Sequence, residues 1–273
     1  MDFGFTVEFN QDPGIHPSIA YEEAFVQVAI AEQMGLDEVW VAEHHSQDGF
    51  GPAAPLITAA AIATRTKRLR IGTAILILPL GHPLRFAEEI STIDQISHGR
   101  FDLGIGRSTL PRDIVPYSLD IGESRPRLLE YLEIMKTAWT HETFSYHGQF
   151  YSFDNVQLEP KPFQKPHPPI RIAASTPDTY ELVGRLGYPI FLGIRTLPIA
   201  TVAEHANIYK DAWLNAGHKG DPDMVLRIPI YVAESKQTAL SATKDSMLRI
   251  YHQLGAENLE SAKFLSADSK EER

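Results

Sequence analysis

No cysteine occurs among the 273 residues, so disulfides, thiolate metal sites and a cysteine nucleophile are all excluded. Basic residues are in deficit as well. The chain has 25 lysines and arginines against 35 aspartates and glutamates, a formal net charge of −10. A nucleic-acid backbone and an anionic membrane surface both reward the opposite balance, so neither partner is expected. No apolar run approaches the roughly 18 residues that a membrane helix needs, and Met1-Asp2-Phe3 opens into a strand-like segment in place of a charged leader. A glycine-rich dinucleotide fingerprint is missing too, because the first turn reads Asn10-Gln11-Asp12-Pro13-Gly14. What remains is a cytoplasmic protein acting on a small molecule, with chemistry drawn from histidine, carboxylate, arginine or a cofactor.

With 43% hydrophobic and 22% charged residues, the chain has enough apolar material for one large α/β core, and a single domain over residues 1–273 is expected. Strand-like runs at 3–9, 38–44, 70–78, 100–106, 169–174, 189–194 and 225–233 alternate with helical periodicity. The helices fall at 18–34, opened by Ser18 and ended by Gly35, then near 54–66, near 83–97, at 124–140, 177–186 and 199–216, and near 236–254. Continuous runs such as Ile75-Leu76-Ile77-Leu78 mark strands buried on both faces, as in a parallel sheet wrapped by helices. The expectation is a (β/α)8 TIM-type barrel of which seven units are read; no eighth strand is read before the polar run Ser266–Arg273, so the domain reads as C-terminally incomplete. Residues 144–158 read as an inserted hairpin around His147-Gly148, and Pro160, Pro162, Pro166, Pro168 and Pro169 as a stiff connector.

In such a barrel the chemistry sits at the C-terminal ends of the strands. Those positions are polar here: Glu43-His44-His45, then Pro79 and His82, Arg107-Ser108, Ser175-Thr176 and Arg195. Any one of them alone is better read as an ordinary solvated strand end; several on one rim suggest a site. Adjacent histidines on an extended segment point to opposite sides and chelate poorly, so no metal is expected. Ser175-Thr176-Pro177-Asp178-Thr179 reads as a helix start, with a hydroxyl cap at Thr176 and proline in the first helical position. Its amides and hydroxyls would accept a phosphate, and Arg107 would add charge and a forked hydrogen bond. Capping alone would also explain the segment. Phe9, Phe50, Leu110 and Tyr117 fall near the same rim loops and suggest an apolar substrate pocket.

Residues 40–108, WVAEHHSQDGFGPAAPLITAAAIATRTKRLRIGTAILILPLGHPLRFAEEISTIDQISHGRFDLGIGRS, together with 153–175, FDNVQLEPKPFQKPHPPIRIAAS, resemble the bacterial luciferase-like monooxygenases, and ISHGRFDLGIGRS resembles the FMN-dependent, alkanal monooxygenase-like branch. The resemblance implies reduced FMN delivered by a separate flavin reductase, reaction with oxygen through a flavin 4a-hydroperoxide, and oxygenation of a small organic substrate such as an aldehyde. It implies that His44 is the acid/base and His45 its neighbour near the flavin. Glu43, Ala74, Ile75 and Gly106 would border the flavin, and Arg107, Ser175, Thr176 and Thr179 would hold its phosphate. A non-proline cis peptide at Ala74-Ile75 and a homodimer built on the second and third helices, where Ala59, Ala60 and Ala63 permit close approach, follow by the same likeness. Gly106 stands where luciferase has a reactive cysteine and Ser175 where it has an acidic residue, so light emission is not implied. A non-catalytic FMN-binding flavoprotein and a deazaflavin-dependent oxidoreductase are the alternatives on this fold.

Overall fold

The computed structural model describes residues 1–9, 16–46, 51–193 and 197–271. Phe50, Arg195 and the turn from Asn10 to Gly14 lie outside the described residues. The chain divides into two compact units, one of Met1–Ser108 with Arg112–Arg171 and the other of Thr109–Pro111 with Ile172–Arg273.

The first unit opens with β1 (Gly4–Val7), α1 (Pro17–Met34), β2 (Glu38–Val41), α2 (Pro55–Arg65) and β3 (Arg70–Thr73). Next come β4 (Leu76–Ile77), a 3-10 turn, α3 (Pro83–Ser97), β5 (Phe101–Gly106), the short α4 (Pro111–Ile114), a second 3-10 turn (Val115–Tyr117) and α5 (Ser124–Thr140). Strands β1, β2, β3 and β5 pair in parallel, with Gly4 opposite Glu38, Glu38 opposite Arg70, and Ile71 opposite Phe101. All six residues of β5 are buried, the one charged member, Asp102, being paired with Arg70 and Arg171.

Residues 70–78 are not the single strand that their composition suggests. The Ala74–Ile75 peptide bond is cis, as the resemblance implies, and it separates β3 from β4. Thr73 bridges the gap in the ladder: its hydroxyl donates to the Gly104 carbonyl at 2.7 Å and accepts from the Gly104 amide at 3.0 Å. Gly72 is needed for a different reason, because a Cβ there would lie 2.0 Å from the Trp40 ring. Helix α1 begins one residue earlier than its serine suggests. His16 is the cap, accepting from the Ser18 amide, and Pro17 takes the first helical position, where its missing N–H costs nothing.

Charged side chains fasten the helix-to-strand junctions. Arg100 donates to the Ala63, Thr66 and Leu69 carbonyls and to the Thr66 hydroxyl, closing the end of α2. Asp94, fully buried, accepts from the backbone and side-chain amides of Gln164 and so ties the proline-rich connector to α3. The inserted hairpin is present as β6 (Phe144–His147) and β7 (Ser152–Val156). Its turn is held by Glu130 of α5, whose carboxylate accepts from the amides of Gln149, Phe150 and Tyr151.

In the second unit β8 (Ile170–Ala173), β9 (Ile190–Gly193) and β10 (Met224–Arg227) pair in parallel, and α6 (Pro177–Leu186) packs on α7 (Ile199–Asn215). Gly184 permits that approach, since a Cβ would sit 2.4 Å from the Tyr209 carbonyl oxygen. The last strand is shorter than its apolar run. Only Met224–Arg227 pair, and Ile228, Ile230, Tyr231 and Val232 are exposed. The final helix, α8 (Lys236–Glu271), continues through most of the stretch read as a polar tail.

Candidate functional site

Strand β2 delivers Glu43, His44 and His45 just beyond its last paired residue. Glu43 is the hub. Its Oε1 lies 2.7 Å from His45 Nε2, and its Oε2 accepts from the Ile77 amide at 2.5 Å. The carboxylate thus joins the end of β2 to the segment that follows the cis peptide, and the Ala74 amide donates to the Val41 carbonyl beside it. Gly106, buried at the end of β5, pairs with Ile77. One turn of structure therefore gathers Glu43, His45, Ala74, Ile75 and Gly106. His44 is half-buried, and its amide donates to the Pro52 carbonyl.

The second ring nitrogen of His45, Nδ1, lies 3.0 Å from the Tyr117 hydroxyl, and the two rings meet edge to face. The Glu43 hydrogen bond holds the imidazole pKa above its ordinary value against the opposing effect of burial, and the charges of Glu43 and Asp113 add to it. Burial raises the Tyr117 phenol, helped by the same two carboxylates. With Nε2–H pointed at an acceptor-only carboxylate, neutral His45 accepts from Tyr117 through Nδ1; the cation donates to it instead.

Arg107, the residue after β5, donates from a terminal guanidinium nitrogen to the hydroxyl of the fully buried Ser124, which in turn donates to the Ile121 carbonyl. Ser108 donates to Asp113 at 2.6 Å. His45, Arg107 and Tyr117 are each followed by a serine with positive φ, at 50° for Ser46 and 54° for Ser108 and Ser118. Left-handed backbone at non-glycine residues is uncommon, and here it turns the chain sharply at three site residues.

In the second unit Thr176 is the N-terminal cap residue of α6 and Pro177 fills the first helical position. The expected side-chain cap is not made. Thr176 Oγ1 instead lies 2.9 Å from Thr179 Oγ1, while the Thr176 carbonyl accepts from the Thr179 amide. Ser175 and Thr176 are exposed, which leaves hydroxyls at the positive end of a ten-residue helix.

Sequence reasoning took Tyr117 only as an apolar lining residue and missed its hydrogen bond. It also missed Ser124 as the Arg107 partner and Asp113 as the Ser108 partner. A polar pair separated by 72 positions, as His45 and Tyr117 are, carries no local signal. His82, placed on the rim by its position after the third strand, packs edge-on against Tyr151 and Phe153, and burial lowers its pKa. No group of three or more metal-ligating side chains occurs among the described residues. Phe9 is buried, and Leu110 is partly buried. In α2, Ala59 and Ala63 are buried and Ala60 is half-buried.

Parallel strands alternating with helices, with a carboxylate–imidazole–phenol chain of hydrogen bonds beyond the strand ends, define an α/β protein. The profile of the luciferase-like monooxygenases matches residues 1–272, and the chain belongs to that family. It is 29% identical over 243 residues to the oxygenase component of the flavin-dependent trigonelline monooxygenase of Acinetobacter baylyi, covering 86% of this chain and 66% of that one. Among solved structures, a monooxygenase from Streptomyces bottropensis superposes with a TM-score of 0.86 at 28% identity, covering 98% of this chain and 83% of that one. The oxygenating constituent of 3,6-diketocamphane monooxygenase from Pseudomonas putida, in complex with FMN, has the same fold, with a TM-score of 0.81 at 21% identity over 97% of this chain and 79% of that one. The chain spans about half to two thirds of the length of the curated relatives it matches.

Proposed function

We propose that this chain is the oxygenase component of a two-component flavin monooxygenase, taking reduced FMN from a separate flavin reductase and oxygenating a small organic substrate such as an aldehyde with O2. The observation that carries the reading is the Glu43 clamp, which fixes a histidine and the cis Ala74–Ile75 segment to each other at the strand ends. Bound reduced FMN supplies the electrons and the activation of oxygen. The residues present suit such a group. Arg107 is oriented by Ser124 and offers a forked donor to a phosphate. Ser175, Thr176 and Thr179 offer hydroxyls at a helix N-terminus. Glu43, Ala74, Ile75 and Gly106 form the flavin-side surface, while His44 and His45 handle protons near neutral pH. The protein works in the cytoplasm as a homodimer, and light scattering that returned a monomer would remove the second part.

Mixing the protein anaerobically with reduced FMN and then admitting oxygen tests this reading by absorbance. Expected are tight binding and substrate-dependent decay of the oxidising species. Immediate reoxidation with FMN retained would identify a non-catalytic flavin-binding protein, and binding of a deazaflavin in place of FMN would identify a hydride-transfer enzyme. Arg107→Ala should weaken FMN binding about 10- to 100-fold, as expected for loss of a hydrogen bond to a charged group. His44→Ala should lower turnover about 10²- to 10⁴-fold with flavin affinity retained. The opposite pattern would remove both assignments.

A further inference from the structure

Both ring nitrogens of His45 are engaged inside the protein, Nε2 by Glu43 and Nδ1 by the Tyr117 hydroxyl. The imidazole residue is only 7% exposed, whereas Tyr117 is 46% exposed. The outer end of the chain of hydrogen bonds is therefore the phenol, with the imidazole behind it and the carboxylate behind that. We propose that the Tyr117 hydroxyl, and not the His45 ring, passes the proton to an oxygen developing negative charge on the ligand, with His45 acting through it as a positioning residue and proton store.

The transfer balances. The Tyr117 O–H bond breaks as its proton joins the ligand oxygen, and the Nδ1–H proton of the His45 cation replaces it on the phenol. His45 is left neutral, with Nε2–H still donated to Glu43, which neither gains nor loses a proton. A proton from solvent then restores the cation. The groups that face His45 favour this resting state: Glu43 from its own strand end, Asp113 from α4 and Tyr117 from the 3-10 turn that follows, two of them carboxylates. Asp113 is held in place by the Ser108 hydroxyl, and Tyr117 by the left-handed Ser118 that closes its turn with a hydrogen bond to the Val115 carbonyl.

The inference rests on the proposed function only for the nature of the ligand, and its test has an arm that needs none. In the free protein with labelled histidine, Tyr117→Phe should shift the His45 Nδ1 nitrogen resonance, through loss of its hydrogen bond, yet leave the ring titrating above its ordinary value; Glu43→Gln should bring that titration down. An unmoved Nδ1 resonance in Tyr117→Phe would refute the relay whether or not any flavin binds. If reduced FMN fails to bind the wild-type protein, the proposed function falls while this arm still decides the relay. In turnover, Tyr117→Phe should lower kcat about 100-fold, with KM, flavin affinity and melting temperature kept and the His45 limb lost from the pH profile. Wild-type kcat with that limb intact would place the ring itself against the ligand. A parallel fall in melting temperature and flavin affinity, with the pH profile unchanged, would reduce Tyr117 to packing. Either result overturns the proposal.

Discussion

His45 holds its proton more firmly in the folded chain than in the unfolded one, because the Glu43 hydrogen bond exists only after folding. A raised folded pKa contributes stability that is fully present below the unfolded value, about 6.5, and is lost as the pH rises through the folded value. His45→Gln should therefore cost more stability at pH 6 than at pH 9, measured as the shift in urea midpoint. An equal cost at both would mean that the charge contributes nothing. Gly72 offers a second test at this scale: Gly72→Ala drives a methyl into the Trp40 ring and should destabilise by about 1 to 3 kcal/mol. The contiguous run Glu43-His44-His45 was legible in the sequence because strand period and strand position suffice to put it on the rim. The partners of its members were not. Tyr117 and Ile77 reach it only through tertiary folding, and no periodicity reports a hydrogen bond from a backbone amide to a carboxylate 34 residues away.

Among the elements, the turn of the β6–β7 hairpin is held through its backbone by Glu130 of α5. Glu130 takes three successive amides of the turn, so Glu130→Ala leaves those donors without their acceptor and should cost about 2 to 3 kcal/mol. Hydrogen exchange at residues 149–151 should accelerate with it; unchanged exchange would show that the turn holds by itself. The hairpin was read correctly from its aromatic flanks, and helix α6 from the proline in its first position and the glycine after its end. Elements were misread where one interaction overrode composition. A cis bond broke the run 70–78, an imidazole displaced Ser18 as the cap of α1, and the pairing of β10 ended before its apolar run did.

For the molecule as a whole, the fold class was legible because a parallel strand followed by a helix recurs along the chain, while the substrate was not, since pocket chemistry leaves no periodic trace. Apolar surface is concentrated late in the sequence, where Ile230 and Val232 are 85% and 83% exposed. Replacing both with lysine should change folding stability by no more than about 0.5 kcal/mol and reduce self-association by light scattering. A large loss of stability would show that these side chains are covered. Arg100, finally, satisfies its guanidinium on peptide carbonyls and a hydroxyl, with no carboxylate among those acceptors. Acid cannot neutralise a carbonyl, and added salt weakens pairs of opposite charges far more than it weakens donation to a buried peptide oxygen. The Arg100 contacts at the end of α2 should thus persist in acid and in brine, where carboxylate contacts such as Arg70–Asp102, Arg127–Glu123 and the hold of Glu32 on the amides of Lys67, Arg68 and Leu69 let go.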